Sequence, residues 1–177
     1  ATVGHGLGSA PKMIIIKNRS HDNKSWQVGH ESIGWGNGIY LNLADAKASD
    51  SGAFNSTAPT SSVFSLGTSS LVNDSGDDYV AYAFAEKTGY SKFGTYTGNG
   101  NADGNFNYLG FKPSFILLKG NNSENWMMYD NKREGYNVDN DSIHPNTNDA
   151  EGTADDIDIL SNGFKIRRAT GLLNDSG

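Results

Sequence analysis

The sequence contains no cysteine, and only four of its 177 residues are proline. Without cysteine the chain can form neither disulfides nor thiolate metal sites, so burial and strand pairing must hold the fold together. Charged residues make up only 19% of the chain, and they leave a net charge of −6. An acidic chain repels phosphates, which argues against a nucleic-acid partner. No apolar run approaches the roughly 20 residues of a membrane-spanning helix, so we expect no membrane insertion.

Helical periodicity is also lacking, whereas glycine and the turn-forming polar residues are abundant. With 22 glycines and 11% aromatic residues, the composition is typical of short strands joined by tight turns. Residues 78–86 are the clearest strand, since Val80, Tyr82 and Phe84 alternate with alanines. This period of two predicts a bulky face against a core and an alanine face against a close neighbour. We expect an all-β fold with a single helical turn around residues 42–48.

An ordered set of motifs occurs twice along the chain. Residues 7–17 and 109–119 share the pattern Leu-Gly-x-x-Pro-x, four apolar residues and Lys. A tryptophan that we predict to be a core residue follows each, first Trp26 and then Trp126, and Asn-Asp-Ser-Gly closes each copy. The offsets are 102 residues for the prolines, 100 for the tryptophans and 101 for the closing turns. Offsets this steady, in the same order, indicate an internal duplication.

The duplication predicts an antiparallel β-sandwich built from two related halves. Residues 1–90 form the first pseudo-repeat and residues 91–177 the second, packed either separately or as one continuous sandwich. Only the first copy continues from its closing turn into a strand, at residues 79–85. We therefore expect the chain to be a fragment of a longer polypeptide, with open strand edges that need cover.

Four stretches of the chain recur together in a known kind of domain. They are Ala-Pro-Thr-Ser-Ser-Val-Phe-Ser-Leu-Gly at 58–67, the strand at 79–86, Gly-Tyr-Ser-Lys-Phe-Gly at 89–94 and Tyr-Thr-Gly-Asn-Gly at 96–100. In this order they resemble a recurrent domain in virion proteins of marine and other tailed bacteriophages, including tail-fibre-like polypeptides. The resemblance implies a lectin-like β-sandwich of the laminin-G, concanavalin or jelly-roll type.

The same resemblance implies a non-enzymatic domain on the virion surface, which is extracellular in the free particle. We expect the domain to serve host attachment as a tail fibre or adhesin, through a host cell-surface glycan. Other copies of the virion protein are the second expected partner, in a homo-oligomer. Two alternatives stay open: a structural decoration (cement) protein of the capsid or tail, and a polysaccharide-degrading spike module.

Exposed aromatic residues are the candidates for glycan binding. A flat ring suits sugars because their C–H faces stack on it, while nearby polar side chains orient the hydroxyls. Trp35 lies between glycines in a loop that we expect to be exposed, with Asn37 two residues on. Arg133 and Tyr136 form a similar combination in the second half. These four residues are the predicted ligand-binding set, and packing of Trp35 at a subunit interface is the open alternative.

The loop at residues 99–104 is the one arguable ion site. It carries side-chain oxygens at alternate positions, on Asn99, Asn101 and Asp103, with glycine at the sixth position. A calcium loop of this kind needs a bidentate Glu at the twelfth position, where this chain has Gly110, and an Asp at the first. These defects favour a hairpin over a calcium site, and we expect no other cofactor.

Catalytic patterns are scarce. Asp156 and Asp158 lie on one side of a predicted strand, but the next residue on that side is Leu160. A glycoside hydrolase needs a separate acid and nucleophile, so a solvated strand face explains these carboxylates better. The four histidines lack the context of a catalytic triad or a zinc helix. The sequence therefore predicts no enzymatic activity.

Overall fold

The computed structural model describes residues 1–133, 141–169, 171 and 173–176. The chain divides into two compact units, Ala1–Glu86 and Lys87–Gly177. The sequence predicts the boundary at residue 90, four residues after the division in the structure.

Strands dominate the described part of the chain. Every strand pair in it is antiparallel. Its helices are a 3₁₀ turn, Glu31–Ile33, and one α-helical turn, Ser51–Phe54 (α1). None of these helices is long and apolar enough to cross a membrane. The prediction of an all-β, antiparallel fold is confirmed.

The first unit contains two antiparallel sheets. Its strands are β1 (Thr2–Gly4), β2 (Met13–Asn18), β3 (Gln27–His30), β4 (Asn37–Tyr40), β5 (Ala48–Ser49), β6 (Val63–Ser65) and β7 (Tyr79–Phe84). The larger sheet has the order β5-β4-β3-β2-β7, and β1 pairs with β6 in the smaller one.

Residues from both sheets of the first unit form its core. Ile14 and Ile16 of β2 share one buried cluster with Phe64 of β6. Trp35 and Phe54 belong to the same cluster, with ring centroids 5.3 Å apart and ring planes at 76°. Aromatic rings favour such edge-to-face contacts. The apolar run at 13–16, predicted as a buried strand, is at most 8% exposed.

The second unit also contains two antiparallel sheets. Its strands are β8 (Phe106–Tyr108), β9 (Phe115–Leu118), β10 (Met127–Asp130), β11 (Ile157–Leu160) and β12 (Gly163–Ile166). One sheet pairs β9 with β10, and the other has the order β11-β12-β8. Their core side chains form a single cluster, whose buried members are Ile116, Met127, Tyr129, Ile157, Ile159, Phe164, Ile166 and Leu173.

The hairpins β2–β3 and β9–β10 have the same register. Ile14 lies opposite Gly29 in the first hairpin, and Ile116 lies opposite Tyr129 in the second. The proline offset of 102 residues relates Ile14 to Ile116, and the tryptophan offset of 100 residues relates Gly29 to Tyr129. A slip of one residue would turn every side chain to the wrong face. The sequence repeat is therefore matched by a repeat in strand pairing.

The correspondence continues into the segment that pairs with the second strand of each hairpin, a strand in the first unit and an isolated bridge in the second. Val28 pairs with Ile39 in the first unit, as Met128 bridges Ile143 in the second. The smaller sheets match as well, because β1 pairs with β6 as β8 pairs with β12.

An asparagine completes the hairpin in each unit. The Trp26 N–H donates to Asn42 Oδ1 at 2.9 Å, and the Trp126 N–H donates to Asn146 Oδ1 at 3.0 Å. Trp126 is 3% exposed, as predicted for a core residue, whereas Trp26 is half-buried.

Two local predictions are wrong. The helical turn lies at Ser51–Phe54, after residues 42–48, because the Asp50 side chain accepts a hydrogen bond from the Ala53 N–H and caps the turn there. The faces of β7 are also reversed. Its alanines lie opposite the core-facing isoleucines of β2, while Tyr82 and Phe84 are 47% and 42% exposed. Rings from other elements already fill the core, so small side chains fit beside β2.

The absence of a side chain at Gly29 makes room for the rings of Trp35 and Phe54 in the core of the first unit. A Cβ at this position would lie 2.5 Å from Phe54 Cε2 and 2.8 Å from Trp35 Cζ3. At the equivalent position in the second unit, Tyr129 supplies its own ring and is fully buried. The two hairpins therefore share one pairing register, but different side chains fill the core beside them.

We predict that Gly29→Ala destabilises the protein. The added methyl group would push on the rings of Phe54 and Trp35, and overpacking of this kind costs about 1–3 kcal/mol. Urea denaturation should show a lower midpoint with an unchanged slope. Gly4→Ala is the control, because a Cβ there would meet nothing closer than the Ser62 carbonyl oxygen, 3.9 Å away. Equal midpoints for the two variants would contradict this account of the core.

Candidate ligand-binding face

The structure does not place Trp35 on the surface. Its side chain is 7% exposed and packs on Phe54 in the core of the first unit. The prediction that Trp35 is an exposed ring is therefore wrong, because its ring packs into the space left by the missing side chain of Gly29. Asn37, predicted beside it, donates from Nδ2 to the Ile33 carbonyl oxygen at 2.7 Å, a contact that closes the turn before β4.

Arg133 is held by contacts within the second unit. Its Nε donates to Asp130 Oδ2 at 2.7 Å and its Nη1 to Glu151 Oε1 at 2.7 Å. Nη2 donates to the Met128 carbonyl oxygen at 3.2 Å. A guanidinium with this many internal acceptors ties loops together and has few donors left for a ligand. Tyr136, predicted alongside it, lies outside the described residues.

The oxygens of the 99–104 loop already accept hydrogen bonds within the protein. Asn99 Oδ1 accepts from the Asn101 N–H at 3.0 Å and from Asn174 Nδ2 at 3.0 Å. Asn101 Oδ1 accepts from the Asp103 N–H at 2.9 Å. The Asp103 carboxylate lies 2.6 Å from Lys165 Nζ, which also holds its pKa below the usual value. These contacts form a compact loop that Asn174 fastens, not the hairpin expected from the sequence, and they already engage the side-chain oxygens proposed for calcium.

No cluster of metal-ligating side chains is gathered in the part of the chain that the structure describes. Asn99, Asn101 and Asp103 thus remain a sequence motif whose oxygens serve the loop itself.

Asp156 and Asp158 occupy different environments, contrary to the predicted solvated face. Asp156 precedes β11 and is 2% exposed. Its carboxylate accepts a hydrogen bond from Tyr129 Oη at 3.0 Å and pairs with Arg168 Nη1 at 3.0 Å. Asp158, within β11, pairs with Arg167 Nε at 2.8 Å. The buried carboxylate is satisfied by a hydroxyl and a guanidinium, an arrangement that joins β10 to the segment after β12.

A different surface of the second unit carries exposed aromatic rings. Phe106 and Tyr108 of β8 are 44% and 68% exposed, and their alternation puts both on the outer face of the β11-β12-β8 sheet. Lys165 lies opposite Phe106, and Gly163 lies opposite Tyr108. The intervening Asn107 lies opposite the core residue Phe164. We call the outer side of this sheet the aromatic face.

Glycines shape the aromatic face around its two rings. A Cβ at Gly163 would lie 3.1 Å from Phe106 Cε2 and would collide with the Asn107 carbonyl oxygen. Gly110, with φ +83°, leaves room beside the Tyr108 hydroxyl, 3.6 Å from where its Cβ would be. A bulkier residue at Gly163 would displace the ring or the strand, whereas at Gly110 the left-handed backbone conformation is what favours glycine.

Paired charges border the aromatic face. Lys165 Nζ contacts Asp103 Oδ1 at 2.6 Å, and Arg167 Nε contacts Asp158 Oδ2 at 2.8 Å. Each pair is neutral overall, and each retains further N–H groups and carboxylate lone pairs. Aromatic rings beside neutral arrays of donors and acceptors match a hydroxyl-rich, uncharged ligand.

The first unit shows that the fold does not require these rings. In the repeat, β1 corresponds to β8, so Thr2 and Gly4 stand where the second unit has Phe106 and Tyr108. The equivalent edge strand forms in both units, although the strand in the first unit has no aromatic residue. Aromatic residues are therefore not a requirement for this edge strand to form.

The sequence carries one signal for this face, which lies outside the motifs described above. Phe106 and Tyr108 alternate around a polar residue immediately after an Asn- and Gly-rich loop. Aligning the two halves would have shown that the aromatic residues occur in only one of them. Exposure itself, however, depends on which face of the sheet the core covers.

The fold defines the chain as an all-β domain with an internal duplication and an exposed aromatic face. Among protein families, the model described as Domain of unknown function (DUF7483) matches residues 1–177, the entire sequence. The chain therefore belongs to the DUF7483 family. Comparison with the curated proteins and with the solved structures gives no match.

We predict a loss of stability at alkaline pH that depends on two buried tyrosines. Burial raises the pKa of Tyr96 to about 12. Burial and then the charge of Asp156 raise the pKa of Tyr129 further above its ordinary value of 10.0. Because both values are raised in the folded state, the contribution to stability is complete below pH 10 and is lost as the pH rises toward 12 and beyond.

Urea denaturation between pH 8 and 12 measures this effect, with the double variant Tyr96→Phe/Tyr129→Phe as the comparison. The variant lacks both titrating hydroxyls, so its stability should fall less steeply above pH 10 than that of the wild-type protein. Parallel curves for the two proteins would show that other groups cause the alkaline loss.

Proposed function

We propose that this chain is a non-enzymatic binding domain that attaches a bacteriophage virion to a host cell-surface glycan. The aromatic face of the second unit is its binding surface. The observation that carries the proposal is the exposure of Phe106 and Tyr108 on a strand whose counterpart in the first unit has Thr2 and Gly4. Exposed rings that the fold does not need are explained by a ligand.

The chemistry of the face supports a neutral sugar over a charged ligand. Phe106 and Tyr108 offer two rings on one face of a strand, a spacing of about 7 Å. Such rings can stack on neighbouring sugars of an oligosaccharide. The Lys165–Asp103 pair beside them carries no net charge, yet it offers donors and acceptors to hydroxyl groups.

The virion location rests on the sequence resemblance. The stretches at 58–67, 79–86, 89–94 and 96–100 resemble a domain of tailed-phage virion proteins, and an attachment role at the virion surface agrees with an exposed binding face. Homo-oligomerisation, common in phage fibres, would present several weak sugar sites together and raise the overall avidity.

Removal of either ring should weaken glycan binding. The experiment measures binding of the recombinant protein to envelope polysaccharide purified from the host, for Phe106→Ala, Tyr108→Ala and the double variant. Each loss should be roughly three- to tenfold, since an aromatic contact contributes about 0.5–1.5 kcal/mol. Tyr90→Ala is the matched control, because Tyr90 is 80% exposed but lies in the turn closed by the Lys87–Ser91 bridge and belongs to no sheet.

The outcomes separate ligand binding from structure. Binding that the double variant retains at full strength would exclude the aromatic face as the glycan site. Binding that Tyr90→Ala weakens equally would indicate non-specific contact through exposed rings. Circular dichroism and the urea midpoint of each variant show whether the fold is preserved.

A second candidate function is that of a structural cement protein in the capsid or tail. It is favoured by Tyr82 and Phe84, which are 47% and 42% exposed on the edge strand β7. Uncovered strand edges with apolar side chains are common sites of protein association. Protein that ignores host polysaccharide but adds to undecorated capsids would establish this function in place of attachment.

A further inference from the structure

One edge of β9 in the second unit is uncovered among the described residues. β9 pairs with β10 on one side only. Phe115 at its start is 56% exposed, although the strand is an apolar Phe-Ile-Leu-Leu sequence. Natural edge strands are usually guarded by charged residues, proline or a bulge. β9 has none of these within its bounds.

The hydrogen-bond pattern identifies the free backbone groups. The Asn131 N–H donates to the Ser114 carbonyl oxygen at 3.2 Å, in register with the hairpin. Because antiparallel partners alternate between bonded and non-bonded pairs, Ile116 also bonds to β10. Phe115 and Leu117 therefore direct their N–H and C=O groups to the opposite edge, where no described residue pairs with them.

The first unit shows what fits this edge. There β7 covers the corresponding edge of β2 and runs antiparallel to it. The Arg19 N–H donates to the Asp78 carbonyl oxygen at 2.8 Å at the end of that ladder. Met13, the counterpart of Phe115 in the repeat, is 8% exposed where Phe115 is 56% exposed. The equivalent strand in the first unit is thus covered by β7, whereas no strand among the described residues covers β9.

β7 also defines the side-chain pattern of a suitable partner strand. Ala81 and Ala83 lie opposite Ile16 and Ile14, on the core side of β2. The alternate residues of β7 are large and lie opposite Met13, Ile15 and Lys17, on the other face of β2. A strand on β9 would need small side chains opposite Ile116 and Leu118 in the same way. Large apolar side chains would lie opposite Phe115 and Leu117.

We propose that the open edge of β9 is an acceptor site for an extended polypeptide strand of the β7 type, added antiparallel from another polypeptide. The ladder of N–H and C=O groups is satisfied by a second backbone, as in β-strand addition. The alternation of small and large residues sets which segments fit. This site lies on a different sheet from the aromatic face and is independent of glycan binding.

The test uses the full chain and a fluorescent synthetic peptide with the sequence of residues 78–86, Asp-Tyr-Val-Ala-Tyr-Ala-Phe-Ala-Glu. Fluorescence anisotropy should show saturable binding. Hydrogen exchange should show new protection at the Phe115 and Leu117 amides and unchanged protection at Ile116, which is already bonded to β10. A second peptide, with its alanines and large residues exchanged, keeps the composition but inverts the faces and should bind about tenfold more weakly.

Proline substitution separates the backbone contribution from the side chain. Leu117→Pro removes a donor that faces the open edge but breaks no bond to β10, a position where edge strands tolerate proline. It should weaken peptide binding about tenfold relative to Leu117→Ala, which keeps the N–H. Ala81→Pro is the matched control, because the Ala81 N–H faces the outer edge of β7, and it should leave peptide binding unchanged.

Several results would overturn the proposal. One is that the peptide does not bind, and another is that it protects amides other than those of Phe115 and Leu117. A third is that Ala81→Pro weakens peptide binding as much as Leu117→Pro does, which would place the peptide on β7. Concentration-dependent self-association that Leu117→Pro abolishes, without peptide binding, would assign the edge to a second copy of this chain instead. If Leu117→Pro fails to fold, the exchange pattern of the wild-type protein decides the matter.

Discussion

Antiparallel pairing at a fixed register is the constraint on which the rest of this structure depends. The hairpins β2–β3 and β9–β10 place Ile14 opposite Gly29 and Ile116 opposite Tyr129. With no cysteine and few charges available, the chain has to gain its stability from such ladders and from the apolar faces that they align. Once the register is set, alternation fixes which residues of a strand share a face.

Within that shared register, the two units solve the packing problem differently. In the first, a glycine leaves a space that Trp35 fills from the turn after β3 and Phe54 fills from α1. In the second, Tyr129 fills the space itself and binds the buried Asp156 through its hydroxyl. Duplication therefore conserved the pairing of strands while the side chains that fill each core diverged. Divergence on the outer faces likewise left aromatic residues on β8 but not on β1.

Much of the fold was predictable because strand signals are local. Alternation at residues 79–84 and the apolar runs of β2 and β9 need only neighbouring residues to be recognised. Comparison of the two halves of the sequence also predicts which strands of the two units correspond. The candidate site was less predictable. Trp35 was expected outside and is buried, whereas Asp156 was expected on a solvated face and lies in the core.

By itself, the sequence determined the strand content and the antiparallel pairing, which follow from the periodicity and turn signals of neighbouring residues, and the repetition, which follows from comparison of the two halves. Tertiary structure alone decided which face of a strand met the core and which stayed in solvent. That choice depends on the volume left by residues that belong to other strands and turns, such as the space beside Gly29 that Trp35 and Phe54 occupy. Exposure of Phe106 and Phe115, and with it both proposed binding surfaces, is a consequence of how those volumes were filled.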